Sequence, residues 1–281
     1  MNRRHWRRTK SRVMVGLMLL AVAAAVLPLL LILGSLVVRG AGSLSLTFLT
    51  STPAPVGEIG GGILHAILGT LTIVGLASLA GVPIGIAAGF YCSEYRGSRL
   101  ATVTRFVADV LNGTPSIVVG VFAWTWVVAT QQHFSALAGS VALAVLMVPM
   151  VMRTTEELLG LVPTSLREAA LALGYPEWRT ALTVVLRTAL PGIVTGSLLA
   201  VARISGETAP LLFTALGSEY LSTRLDAPMA ALPLLVYKYA TGPYPEWHRL
   251  AWTSALVLIL VVLLLSVLAR LATRQRFGSR A

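Results

Sequence analysis

Charged residues are scarce in this chain of 281 residues. Asp, Glu, Lys and Arg together make up 12% of it, whereas 56% is hydrophobic and the mean hydropathy is +0.80. A soluble domain typically carries about 25% charged residues. The composition therefore excludes an ordinary soluble globular protein and favours a membrane protein.

Cysteine is almost absent as well, and this excludes two further classes. Cys92 stands alone, so the chain has neither an intrachain disulfide framework nor a Cys-rich metal site. The histidines lack the spacing of metal ligands; they are His5, His65, His133 and His248. No Gly-x-Ser-x-Gly motif is present either. We expect no metal and no cofactor on this chain.

The net charge of +11 is not distributed as in a nucleic-acid-binding protein, because the arginines gather beside apolar runs. We therefore expect no nucleic-acid partner. Residues 1–12 hold six of the basic residues and precede an apolar run at 13–38. That run exceeds the 7–15-residue core of a signal peptide. It predicts an uncleaved first transmembrane helix behind a basic cytoplasmic segment.

Long apolar runs dominate the rest of the chain, and a helix needs roughly 20 such residues to cross a bilayer. With the first run, the predicted spans are 13–38, 63–91, 106–129, 136–152, 192–216 and 252–268. The sequence thus predicts an all-α membrane protein, a six-span helical bundle whose core region is 63–271. The apolar stretch 227–240 is broken by Pro228 and Pro233, which favours a re-entrant or interfacial helix within an outer loop at 217–250.

The distribution of Lys and Arg orients these spans by the positive-inside rule. With the amino terminus inside, seventeen basic residues fall in inner segments, including a tail at 272–281. The outer segments hold only Arg39, Arg224, Lys238 and Arg249. Both termini are therefore predicted to be cytoplasmic, as is the long connection 153–191.

That connection contains PTSLREAALALGYPEW, which predicts a helix–turn–helix elbow. Ser165 with Glu168 fits a capping box, and Gly174 is placed to end the first helix. A second amphipathic helix then leads into the fifth span. Ala169 and Ala170 leave one side of the elbow with little side-chain bulk, so another protein surface could approach its backbone.

The stretch ARISGETAPLLFTAL places two ions in the fifth span. Arg203 and Glu207 are the only charged residues within 192–218, and each costs about 2.5–3.5 kcal/mol to insert. On a continuous helix they lie at i and i+4 and can neutralise each other. Alternatively, the pair lines a polar path in which arginine binds an anion through its planar donors. We predict a translocation path lined by Arg203, Glu207 and Thr208.

The chain lacks the nucleotide-binding motif that an ATP-driven transporter needs. A phosphate-cradling loop requires Gly-x4-Gly-Lys-Ser/Thr. The only lysines are Lys10 and Lys238, and glycine precedes neither. If ATP drives transport, ATP and Mg bind a partner.

Several motifs resemble a known family. Glu-Ala-Ala at 168–170, followed after three residues by Gly174, resembles the EAA loop of ABC-importer permeases. In that family the pattern continues with I-x-L-P, whereas here the proline is displaced to Pro191. The stretches NGTPSIVVG at 112–120, ARISGETAPLLFTALG at 202–217 and LPLLVYKYATGPYPEWHRLAW at 232–252 are similar to the A subunit of phosphate-specific transport (Pst) permeases.

This resemblance implies a type I importer permease that carries inorganic phosphate across the bacterial inner (plasma) membrane and is not itself an enzyme. It also implies a second, C-type permease subunit, two ATPase subunits and a phosphate-binding protein on the outer face. The ATPase would contact an elbow that includes Glu168, Ala169, Ala170 and Gly174.

Three alternatives remain at this stage. The permease could carry another oxyanion, such as sulfate or molybdate. A membrane-embedded enzyme could use Glu207 as acid–base with Arg203 binding substrate, although no second carboxylate or Ser/His pair lies in the spans. An assembly scaffold without a pathway would leave the intramembrane charges unexplained.

Overall fold

The computed structural model describes residues 2–55 and 60–274, and over these residues the fold is helical with no strand. The helices are α1 (Asn2–Gly40), α2 (Leu46–Thr50), α3 (Leu64–Glu94), α4 (Arg99–Gly113), α5 (Ser116–Gln131), α6 (Ala136–Gly160), α7 (Thr164–Ala172), α8 (Glu177–Ile204), α9 (Ala209–Leu212), α10 (Leu232–Thr241) and α11 (Pro245–Arg274). The prediction of an all-α protein is confirmed.

Five of these helices are long and apolar enough to cross a membrane: α1, α3, α6, α8 and α11. A sixth candidate span is formed by α4 and α5, which are bent by 106° relative to each other. The bend lies at Thr114, whose backbone is extended because Pro115 disfavours a helical conformation of the residue before it. The third predicted span, 106–129, is therefore wrong as a continuous helix, while the number of six holds if the bent pair is one span.

Several predicted boundaries also shift. The fourth span does not end at residue 152 but continues to Gly160, and α8 already begins at Glu177. The predicted connection 153–191 therefore shortens to residues 161–176. Residues 2–12 of the predicted basic segment belong to α1, which begins at Asn2, and residue 1 lies outside the described residues. Of the predicted tail 272–281, only 272–274 belong to α11, and the remainder lies outside the described residues.

Close packing of α3 on α6 depends on a stripe of glycines. Gly81, Gly85 and Gly89 recur every fourth residue, and this spacing puts them on one side of α3. A Cβ atom on Gly85 would lie 2.7 Å from the Cβ of Val151, and one on Gly89 would lie 2.5 Å from the carbonyl oxygen of Met152. Small residues let two membrane helices approach to backbone contact, which is how such helices associate without a hydrophobic driving force.

The helix α8 packs on the same helix α6 by a similar device. A Cβ on Gly192 would meet Leu158 at 3.1 Å, and one on Gly196 would clash with the side chain of Thr154. Around these contacts lies the main apolar core, drawn from α3, α6, α8 and the residues that follow α9. Its fully buried members include Ile73, Leu143, Met147, Val151 and Ile204. The result is one bundle with α6 at its centre.

The helix α10 is too short to cross a membrane, because its ten residues extend only about 15 Å. It packs within the protein, with Leu232, Leu235 and Tyr239 buried against residues of α3 and α11. The N–H of Leu232 donates to Oγ1 of Thr70, 2.8 Å away and six residues inside α3. This non-crossing helix agrees with the prediction made for residues 227–240.

Candidate translocation site and coupling elbow

The span that carries the two predicted ions is interrupted between them. The helix α8 ends at Ile204, so Arg203 lies in its last turn and Glu207 lies beyond it. The amides of Gly206 and Glu207 donate to carbonyls only three residues back, at 3.2 and 3.1 Å. Pro210 accounts for the interruption, because its ring would clash with the carbonyl of Gly206 in a continuous helix.

Two expectations are therefore wrong. The fifth span does not run helically from 192 to 216, and Arg203 and Glu207 do not face each other at i and i+4 on one helix. Neither side chain forms an ion pair with any of the residues that the structure describes. In this chain alone Arg203 is exposed, whereas Glu207 and Thr208 are half-buried. Mutual neutralisation does not explain the charges.

The break, residues 205–208, lies within the bundle rather than at its end. Ile204 belongs to the same apolar core as Ile73 and Leu143. Ile73 lies nine positions after the start of α3, and Leu143 lies seven positions after the start of α6. Both are therefore about 10–14 Å along their helices from those starts. Irregular backbone at membrane depth is tolerated where it is buried in protein or lines a water-filled cavity.

The residues that follow the break are fixed by their neighbours. A Cβ on Gly120 of α5 would lie 2.6 Å from the Cα of Pro210, so α9 packs directly on α5. Leu211 and Ala215 are buried near Gly139 of α6. The break is thus held between rigid helices, and the exposed Arg203 lies at the helix C-terminus, where a cation is favoured by the helix dipole.

The elbow, defined here as residues 164–180, has the predicted ending for its first helix. Gly174 has a φ of +85°, a left-handed conformation that favours glycine. Its N–H donates to the carbonyl of Leu171 at 2.9 Å, and the N–H of Tyr175 donates to that of Ala170 at 3.1 Å. This pair of bonds is a Schellman motif, which satisfies carbonyls that the helix end leaves free.

Two details of the predicted elbow are wrong. The helix α7 begins at Thr164 after Pro163, and no side chain caps its amides, so Ser165 and Glu168 do not form a capping box. Pro163 takes the position before the helix and thereby places Ser165 inside the first turn. Ala170 is buried by its own chain, and only Ala169 of the two alanines is exposed.

The elbow presents large apolar side chains that the sequence interpretation did not single out. Leu173 is 78% exposed and Trp178 is 67% exposed, and Leu171 beside them is also exposed. A loop that contacts only water would instead be expected to present basic side chains. Side chains of this size on an exposed turn favour a surface that another protein covers.

An ion pair joins the elbow to α3. Nη1 and Nη2 of Arg167 donate to the two carboxylate oxygens of Glu94 at 2.8 and 2.5 Å. This hydrogen bonding raises the pKa of Arg167 above its ordinary value. The two residues lie 73 positions apart, so no local sequence signal predicts their contact.

A second charged network connects α3, α4 and α6 near the elbow. Glu156 accepts from Nε of Arg105 at 2.5 Å and from Nη1 of Arg153 at 3.2 Å. Arg153 also forms an ion pair with Asp109, and Arg105 donates to the carbonyl of Cys92 at 2.6 Å. The charge pattern of the sequence places both arginines among the inside charges but does not indicate their partners. Their ion pairs connect α4 to the part of α6 that lies beyond residue 152.

Metal-ligating side chains do not cluster in the part of the chain that the structure describes, where no group of three or more His, Cys, Asp or Glu could hold an ion.

Comparison with known proteins decides the family. The model of the family described as "Binding-protein-dependent transport system inner membrane component" matches residues 81–275, which is more than half of the chain. The chain belongs to this family. It is thus a multi-pass membrane protein and one component of a transport system that includes further subunits.

Relatives narrow the position within the family. A phosphate transport system permease protein PstA from Yersinia pestis is 49% identical over 266 residues, which cover 94% of this chain and 90% of the relative. PstA from Haemophilus influenzae is 47% identical over 269 residues, 95% of either chain. The predicted resemblance to A-type Pst permeases is confirmed.

A solved structure supports the fold. The inward-facing MetNI methionine ABC transporter matches with a TM-score of 0.64 at 21% identity, covering 76% of this chain and 95% of that one. At this identity the match shows the fold alone, and it is the predicted fold of type I importer permeases.

Proposed function

We propose that this chain is a transmembrane permease subunit of an ATP-driven importer that moves inorganic phosphate into the cytoplasm. The observation that carries the proposal is the identity of 46–49% with proteins named PstA along most of the chain. Because these relatives are named as phosphate transport proteins, they favour phosphate over sulfate or molybdate as the substrate. They also favour a transport subunit over a membrane enzyme that uses Glu207 and Arg203.

Phosphate passes the α8 break, where Arg203, Glu207 and Thr208 line the path. An arginine offers planar donors that match an oxyanion, and Arg203 has no carboxylate partner among the described residues. Glu207, four residues on and half-buried, repels anions that Arg203 does not hold. Unwound backbone at this depth is compatible with a path, because such backbone is tolerated where it lines a water-filled cavity as well as where it is buried in protein.

ATP and Mg bind partner ATPase subunits, of which the complex has two, and the elbow docks on them. The docking surface combines Glu168, Ala169 and Gly174 with the exposed Leu173 and Trp178, and the buried Ala170 supports it from behind. The turn of the elbow leads straight into α8. Movement of the ATPase therefore reaches the break through one continuous helix of 28 residues.

The remaining partners follow from the same assignment. A C-type permease completes the path, lipid surrounds both permeases, and a phosphate-binding protein delivers its ligand from outside. The excess of Lys and Arg on the elbow side of the spans supports cytoplasmic termini and a cytoplasmic elbow in the bacterial inner membrane.

Uptake by the complete importer in proteoliposomes tests the substrate. We expect ATP-dependent accumulation of labelled phosphate that excess unlabelled phosphate abolishes and excess sulfate or molybdate does not. Accumulation that sulfate or molybdate suppresses more strongly than phosphate would assign the permease to that oxyanion instead.

A further inference from the structure

A cavity of about 440 Å³ lies at the end of the bundle opposite the elbow. Its walls come from the first turn of α3, from α10 and from the residues that follow α9. The polar side chains that matter below are His65, Glu219 and Lys238. In the orientation proposed above, this cavity opens on the outer face.

His65 lines the cavity, and its ring nitrogens form no hydrogen bond with the described residues. The side chain is 3% exposed, and neither Nδ1 nor Nε2 has a hydrogen-bond partner within residues 2–55 and 60–274. A neutral imidazole has one donor and one acceptor, and buried polar atoms are nearly always partnered. Both nitrogens are closed to solvent in this conformation, so a polar group in the cavity reaches them only when the ring turns toward it.

Glu219 and Lys238 form an ion pair at the same cavity. The hydrogen bond from Lys238 lowers the pKa of Glu219, so this carboxylate is ionised at neutral pH. Both side chains are largely exposed, at 63% and 43%, and such pairs are weak because water screens them. The ammonium of Lys238 also lies 5.5 Å from the ring centre of Trp247, which holds it near the cavity when the carboxylate leaves.

The cavity wall and the α8 break lie close together in the sequence. Leu212 is the last residue of α9, and Leu216 follows closely; both line the cavity. Residues 208–211 separate Glu207 along the chain from Leu212 in the cavity wall. The cavity and the path residues are thus linked by one short segment of the chain.

We infer that this cavity is an outer holding site for inorganic phosphate, from which the anion moves on to the α8 break. Lys238 donates to the bound oxyanion, and the ring N–H of His65 joins it once the imidazole turns toward the cavity. Glu219 is a displaceable counter-ion that neutralises Lys238 while the cavity is empty. The volume leaves room for water around the anion, as expected for a site that must also release it. This inference rests on the proposed function.

Direct binding of labelled inorganic phosphate to the complete importer in lipid nanodiscs, without binding protein and without ATP, tests the site. All samples carry Arg203→Gln, so that the α8 break does not contribute. We expect Lys238→Gln to weaken binding about tenfold, because it removes a charge-assisted hydrogen bond. Glu219→Gln should strengthen binding several-fold, because it removes the competing carboxylate. His65→Asn should weaken it.

The opposite signs separate a binding site from a structural ion pair. If Lys238 and Glu219 only stabilise the fold, both substitutions will change binding in the same direction or not at all, and the inference is overturned. The exposed pair Arg224 and Asp226 provides the matched control, since Arg224→Gln removes an ion pair on the same loop and should leave binding unchanged. Both test substitutions are at exposed positions, so they remain informative if His65→Asn does not fold.

The failure of this inference differs from a failure of the proposed function. Importers that take up phosphate normally but show no cavity binding at millimolar phosphate would overturn the holding site alone. Importers that carry a different oxyanion would overturn both. Cavity binding that survives Arg203→Gln while the uptake rate falls roughly ten- to hundredfold is the result we expect.

Discussion

Arg167 of the elbow and Glu94, the last residue of α3, form a two-bond ion pair with N–O distances of 2.8 and 2.5 Å. Both side chains are mostly buried. The elbow is thus connected to the bundle by the chain at both of its ends, to α6 and to α8, and by this pair to α3. Because α3 also packs backbone-to-backbone on α6, we expect movement of the elbow to reach α3 and α6 as well as α8.

Breaking this pair should impair coupling more than assembly. Glu94→Gln and Arg167→Gln should each lower phosphate uptake per ATP hydrolysed several-fold, because the elbow then moves without α3. The measurement is the ratio of uptake to ATP hydrolysis in proteoliposomes. The exchanged pair Glu94→Arg with Arg167→Glu should recover part of that ratio. An unchanged ratio in both single variants would contradict a mechanical role for the pair.

The glycine stripe on α3 should be sensitive to a single methyl group. Gly85→Ala and Gly89→Ala place a Cβ within 2.7 and 2.5 Å of α6 and should each lower stability by about 1–3 kcal/mol. Thermal unfolding of the purified protein in detergent measures the effect. Gly75→Ala on the same helix is the control, because nothing lies within 4 Å of its Cβ position. Equal melting temperatures for all three variants would show that the two helices are not in backbone contact.

Gly174 tests the shape of the elbow separately from its surface. An alanine there meets no atom within 4 Å, so any effect arises from the left-handed backbone and should be about 1–2 kcal/mol against the native turn. We expect normal membrane insertion but reduced uptake per ATP in Gly174→Ala. Gly97→Ala, also free of contacts and on the same side of the bundle, should behave as the parent protein. If Gly174→Ala does not insert, the elbow is a folding element instead.

Glu156 should matter more for stability than Asp109. It accepts hydrogen bonds from two arginines on different helices and is mostly buried, whereas Asp109 is 61% exposed. Glu156→Gln should lower the free energy of unfolding by about 1–3 kcal/mol, and Asp109→Asn by less than about 1 kcal/mol. Chemical denaturation in detergent measures both. A larger loss for Asp109→Asn would contradict this network.

The spans were predictable because the bilayer requires long apolar runs, and the elbow was predictable because Gly174 must end a helix with a positive φ. The break at Ser205–Thr208 was missed because hydropathy averages over it, although Gly206 followed by Pro210 is a local signal that a helix stops. The true end of α6 was missed for a different reason. Arg153 and Glu156 end the apolar run but are good helix formers, so the helix continues where the hydropathy falls. The ion pairs of Arg153 with Asp109 and Glu156 form only in the folded bundle.

Burial of the elbow could not be inferred from composition either. Ala169 and Ala170 are chemically identical neighbours, yet only one is covered by the chain. Helix rotation decides which, and rotation depends on tertiary partners such as the pair between Arg167 and Glu94 rather than on the residues of the elbow.

The central claim is that Arg203 and Glu207 line the path at the α8 break. Its most direct test is the initial rate of ATP-dependent phosphate uptake by proteoliposomes of the complete importer with Arg203→Gln or Glu207→Gln, and with Arg203→Lys to keep the charge but not the planar donors. We predict that Arg203→Gln lowers the rate roughly ten- to hundredfold, that Arg203→Lys recovers part of it, and that assembly is normal. Unchanged uptake in both glutamine variants, in normally assembled complexes, would contradict the account.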